Sequence, residues 1–152
     1  MLPDRDLDDL LDGLVSRIGE LTKRVNDLEK LEGGSGWIDY SATSTIVGWS
    51  SFTAKWLYYK RIFGKLVFVK FYIQGTSNNV ATSFTITDNI SNTVHSISPI
   101  RCMNNGVWVS AWGFAAILTG ANLCNLYSSI SGAGWTASGD KRVHGEFWYI
   151  AA

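Results

Sequence analysis

Apolar side chains recur at Leu7, Leu11, Leu14, Ile18, Leu21, Val25 and Leu28, separated alternately by four and three residues. That alternation is the heptad seam of a coiled coil, with Leu11, Ile18 and Val25 at position a and Leu7, Leu14, Leu21 and Leu28 at position d. The seam is two positions per heptad wide, narrower than the stripe by which a helix docks on its own domain. Pro3 and the clustered aspartates suit a first helical turn, and Gly33-Gly34-Ser35-Gly36 stops the helix, so it is predicted from near residue 4 to near residue 32. Gly13 and Gly19 each cost roughly 1 kcal/mol relative to alanine. A lone helix of this kind is marginal in water, so it is expected to associate with copies of itself or with a partner.

Beyond the glycines the period changes. Trp56–Arg61 and Lys65–Ile73 are rich in β-branched and aromatic residues and flank a short Phe63-Gly64 turn, which predicts a hairpin. Further strands are expected at Ser83–Thr87, Val94–Met103, Gly106–Phe114, Leu123–Ser128 and Gly145–Ile150, separated by clusters such as Asp88-Asn89 and Asn104-Asn105-Gly106. Within Gly106–Phe114, alternation sets Trp108, Ser110, Trp112 and Phe114 on one face, so Trp108 and Trp112 share a side. Short strands with no helix between them imply an antiparallel β-sandwich, jelly-roll-like. The expected organisation is a stalk over residues 1–32, a glycine-rich linker over 33–36 and a mainly β head over 37–152.

Composition divides the chain at the same place. With 152 residues, 46% of them apolar and 17% charged, it is neither a large multidomain enzyme nor a disordered chain. The net charge of zero splits into −4 over residues 1–32 and +4 over the remainder, and all seven tryptophans lie after residue 36. Cys102 and Cys124 are too few and too far apart for a zinc site and are expected as small buried hydrophobes. The longest apolar stretches, such as Gly113–Leu118, fall short of the ~18 residues of a membrane span, and the acidic start differs from a signal peptide. No membrane insertion, secretion signal, metal or cofactor is expected.

The a and d residues alone lean towards a parallel dimer. Arg24-Val25-Asn26-Asp27-Leu28-Glu29, however, resembles the short trimerisation motif of parallel three-stranded coiled coils. In that motif the stem of the arginine covers the seam and its head pairs with the glutamate of the next chain. A trimer is therefore the expectation. A trimeric stalk bearing a compact β head resembles the receptor-binding, distal tail-fibre or baseplate proteins of tailed bacteriophages. The residues that carry the resemblance are Tyr59–Val69, Gly75–Asn78, Asn105–Trp108 and Trp135–Lys141, with Phe63 an apparent insertion before the turn glycine that shifts the hairpin register from the family's. The resemblance implies a homotrimer on the virion, assembled in the host cytoplasm. Its head would bind host cell-surface saccharide and its stalk would join other tail or baseplate proteins.

The head is sparing in groups that could do chemistry. It holds four acids, Asp39, Asp88, Asp140 and Glu146, of which Asp88 and Asp140 sit in turn contexts, leaving Asp39 with Glu146 as the one glycosidase pair to consider. No nucleophile elbow, phosphate loop or zinc helix occurs, and His95 and His144 stand alone, so no enzymatic activity is expected. A basic excess interleaved with acids is a weak signal for nucleic acid, which is not expected as a partner. Saccharides stack apolar C–H faces on exposed aromatics and offer hydroxyls to polar groups. Trp135, in a glycine and serine loop beside Asp140, Lys141 and Arg142, is expected to be exposed, and with Trp112 and Arg101 it makes the candidate glycan site. The positive excess suits an anionic surface polymer. Two other classes fit the same sequence: a structural trimeric tip without a ligand, and a jelly-roll trimer that binds a protein receptor, for which Asn89-Ile90-Ser91 would be a glycosylation acceptor.

Overall fold

The computed structural model describes residues 4–31, 36–87, 96–118 and 122–152. One helix, α1 (Asp4–Leu31), matches the expected boundaries. Of its seam, Leu11, Leu14, Ile18, Leu21 and Val25 are each at least half exposed, so in a single chain the stripe is unpacked. Arg24 lies 3.8 Å from Glu20, one turn earlier in the same helix. The side chains of Leu7, Leu28 and Glu29 lie outside the described residues, as do residues 33–35 of the linker, Asp88, the Asn89-Ile90-Ser91 triplet and His95.

Ten strands follow among the described residues: β1 (Ile38–Asp39), β2 (Ile46–Val47), β3 (Trp49–Ile62), β4 (Leu66–Ser77), β5 (Ser83–Thr85), β6 (Ser96–Asn104), β7 (Val107–Trp108), β8 (Gly113–Ile117), β9 (Leu123–Tyr127) and β10 (Asp140–Ile150). They form one antiparallel sheet in the order β1-β3-β4-β10-β6-β8-β9-β5-β2, with β7 paired to β6. The chain passes from β2, at one end of that order, to β3, near the other, through Gly48 alone. Such a step requires the sheet to curl until its two ends approach. Strands that a sandwich would divide between two sheets are therefore joined in one curled sheet, whose inner face is the core.

Phe84 of β5 meets Phe71 of β4 and Phe147 of β10 across that interior, with ring centres 5.0 and 6.2 Å apart. Leu57, Val67, Ile73, Ile100, Ile117, Val143 and Tyr149 complete the packing. Cys102 and Cys124 are free thiols buried among them, and burial raises the Cys102 pKa to about 12. The predicted hairpin is β3–β4, closed by Phe63 and Gly64 in left-handed conformation with φ of 50° and 72°.

β3 begins at Trp49 rather than Trp56 and β5 ends at Thr85 rather than Thr87, and two further expected strands differ more in kind. Gly106–Phe114 is broken, because Trp108 pairs with Met103 while Gly113 pairs with Ile100, so that residues 109–112 oppose only Arg101 and Cys102. The two extra residues bulge out and carry Trp112 outward, the usual effect of a bulge on a side chain. The last strand begins at Asp140 rather than Gly145, and it occupies the middle of the sheet between β4 and β6.

Candidate functional site

Along β10, Val143, Phe147 and Tyr149 turn into the core, while Arg142, His144, Glu146 and Trp148 face outward. Register carries this outer face across four strands, so that Trp56, Tyr72, His144 and Arg101 stand in one row. The His144 ring stacks on Tyr72 with centres 6.1 Å apart, and Tyr72 lies 5.0 Å from Trp56.

β7 lays Trp108 over the end of this row. Its ring meets His144 edge-on at 6.1 Å, and the guanidinium carbons of Arg101 and Arg142 lie 5.1 and 5.4 Å from its centre. These are cation–π distances, so one indole holds two positive groups together. Trp112, delivered by the bulge, is 58% exposed, and Trp108 is 40% exposed. Together with Pro99, Arg101, His144 and Glu146 they line an open groove of about 580 Å³.

The groove is positive at one end. Neither arginine forms an ion pair with a described carboxylate. Burial, and then the charges of Arg101 and Arg142, lowers the pKa of His144. Arg142 Nε and His144 Nδ1 are both buried with no hydrogen-bond partner among the described residues. Two cations, two exposed indoles and unspent hydrogen-bonding capacity suit a ligand with apolar faces and a negative or strongly accepting group.

Of the six residues singled out from sequence, Arg101, Trp112 and Arg142 come together here. Asp140 shares the outer face two residues before Arg142 but does not line the groove. Trp135 and Lys141 are corrected. Trp135 is 3% exposed, with its indole N–H donating to the Leu126 carbonyl at 2.8 Å. Its loop looks solvent-bound from composition, yet Trp135 N also donates to the Val80 carbonyl, and the Ser128 hydroxyl ties the loop back at Ala133 and Gly134.

Lys141 has no solvent exposure at all. Its ammonium donates to Gly48 O at 2.9 Å, Asn79 O at 3.0 Å and Thr82 Oγ1 at 2.8 Å. The rings of Trp49 and Trp135 flank it at 4.9 and 5.2 Å. Burial lowers its pKa to about 8. The cause is the early start of β10, which places Lys141 on the same side as Val143. The same extension identifies what sequence reasoning missed: counting back by twos from Trp148 brings Glu146, His144 and Arg142 to one face.

Asp39 and Glu146 also share a row, through Tyr58 and Lys70. Three strand spacings separate them, about 14 Å, beyond the ~5–9.5 Å of glycosidase carboxylates. Asp39 instead accepts the Ser41 backbone N–H at 2.8 Å, and hydrogen bonding from the Ser41 side chain, and then from this N–H, lowers its pKa. Among the described residues there is no cluster of three or more metal-ligating side chains, and no helix long and apolar enough to cross a membrane. No protein-family model, curated protein or solved structure matches this chain, so the groove is read from its own geometry.

Proposed function

We propose that this chain is the tip of a trimeric attachment protein of a tailed bacteriophage, a tail-fibre or baseplate component that holds the virion to saccharide on the host cell surface. The observation that carries the reading is an open groove on the outer face of the sheet lined by exposed Trp108 and Trp112 together with Arg101, with Arg142 held beside it against the Trp108 ring. Indole faces accept sugar rings, while the arginines and His144 take hydroxyl or acidic substituents.

The unpacked heptad seam of α1 supplies the means of bringing three heads together. A shallow groove binds weakly, and three on one stalk gain through effective concentration once a single head has engaged a polymeric surface. The stalk also provides the link to other tail proteins.

The test is adsorption of the purified chain to host cells and to a glycan array. Trp112→Ala, at an exposed position, is expected to fold normally and to lose binding. Adsorption and array signal unchanged in that variant would reject the groove as the receptor site.

A further inference from the structure

A second groove continues the first. It encloses about 480 Å³ and is lined by Trp37, Phe68, Ser98, Pro99, Glu146 and Trp148. Pro99 and Glu146 line both grooves, so the two form one path along β10. The outward residues of that strand are the markers of the path: Arg142, His144, Glu146 and Trp148, spanning about 20 Å at ~3.3 Å per residue. That is longer than a single sugar ring.

The two ends differ in chemistry. At the first, Arg101 and Arg142 share Trp108, and Arg142 Nε and His144 Nδ1 are buried without hydrogen-bond partners among the described residues. At the second, Trp148 and Trp37 are exposed, and the nearest described cation, Lys70, stands over the Trp37 ring at 4.2 Å. Glu146 lies between them and repels a negative group placed midway, while its oxygens accept hydroxyls. The charge order along the path is thus two arginines, a carboxylate and then an aromatic floor bearing a single lysine, Lys70, so the positive charge is concentrated at the first end.

We infer that the path takes an acidic oligosaccharide of at least two sugars, laid along β10 with its phosphate or carboxylate at Arg101 and Arg142 and an uncharged sugar against Trp148. The inference rests on the saccharide reading above and adds the charge, minimum length and direction of the ligand. Stacking on Trp148 adds contact only for a chain long enough to pass Glu146, whereas the arginines act on the acidic group whatever the length.

The experiment is titration of the full chain against bacterial surface glycans of one to six sugars, in matched acidic and neutral forms. Binding is expected for the acidic forms and to strengthen with length. Arg142→Gln should weaken every acidic glycan at least tenfold. Trp148→Ala should weaken only those of two or more sugars, by about fivefold, and leave the acidic monosaccharide unchanged. Neutral glycans bound as well as acidic ones would overturn the inference while leaving saccharide attachment intact. A Trp148→Ala loss equal at all lengths would overturn the direction. A single-stranded oligonucleotide bound more tightly than any glycan, or no glycan bound at all, would overturn both readings.

Discussion

The ammonium of Lys141 stands 5.2 Å from the centre of the Trp135 ring, inside the protein. With Trp49 on the other side and three oxygen acceptors around it, it joins β10 to the Gly48 link and to the Asn79–Thr82 segment. Lys141→Met removes the cation and leaves Asn79 O and Thr82 Oγ1 short of a donor, a loss of about 2–4 kcal/mol. Denaturant unfolding at pH 7 checks it; a midpoint within experimental scatter of wild type would contradict the bracing role.

The same lysine sets an alkaline dependence. Its pKa is about 8 folded against 10.5 unfolded. Between those values the unfolded chain holds more protons, so stability rises with pH. Wild type should gain on Lys141→Met from pH 8 to 10.5, and parallel pH profiles would refute the assignment.

His144 acts on the acid side. Its pKa is lowered in the folded chain by burial and by the two arginines, from 6.5. Stability is therefore present above pH 6.5 and is lost as pH falls through the folded value. His144→Gln should flatten the decline of the head's unfolding midpoint that wild type shows as pH falls below 6.5.

Gly145 lies where β4, β10 and β6 pair, opposite Phe71 and Ile100. A Cβ there would stand 2.6 Å from Ile100 Cγ2 and 3.4 Å from the Phe71 ring. Gly145→Val should destabilise the head by roughly 1–3 kcal/mol through overpacking. Calorimetry of the head transition measures it, and no change in its midpoint would mean that the sheet can open at its centre.

The stem can be tuned both ways. A Cβ at Gly13 or Gly19 meets nothing within 4 Å, so the double alanine variant should stabilise the helix by about 1 kcal/mol per site. Under the trimeric reading, wild type has a solution mass of three times 16.8 kDa, about 50 kDa, and Leu14→Asp with Leu21→Asp should lower it to that of one chain. Light scattering reads both proteins. A wild-type mass of one chain would remove the trimer, and twice that mass would replace it with a dimer.

The elements legible in the sequence are those whose signals are local. The helix ends follow from its heptads and glycines, and the β3–β4 hairpin from two β-branched runs around Phe63-Gly64. Half of the candidate glycan residues, Arg101, Trp112 and Arg142, come together because they belong to one outer face. Trp135 and Lys141 were misplaced because tertiary contacts decide their burial: a glycine and serine loop folds inward, and a charged residue is held by distant backbone oxygens. The bulge at residues 109–112 depends on the register with β6, which no short segment encodes.

β10 is the strand on which the sheet closes, with all eleven of its residues paired to β4 and four of them to β6. During synthesis β4 and β6 leave the ribosome long before it and wait with their shared edge open. The head thus cannot be completed until residues 140–150 emerge, which makes its folding late and dependent on distant contacts. The helical stem is by then already free. Under the trimeric reading, nascent neighbours meet first through their helices, and each final strand slots into a head that is already tethered beside its companions.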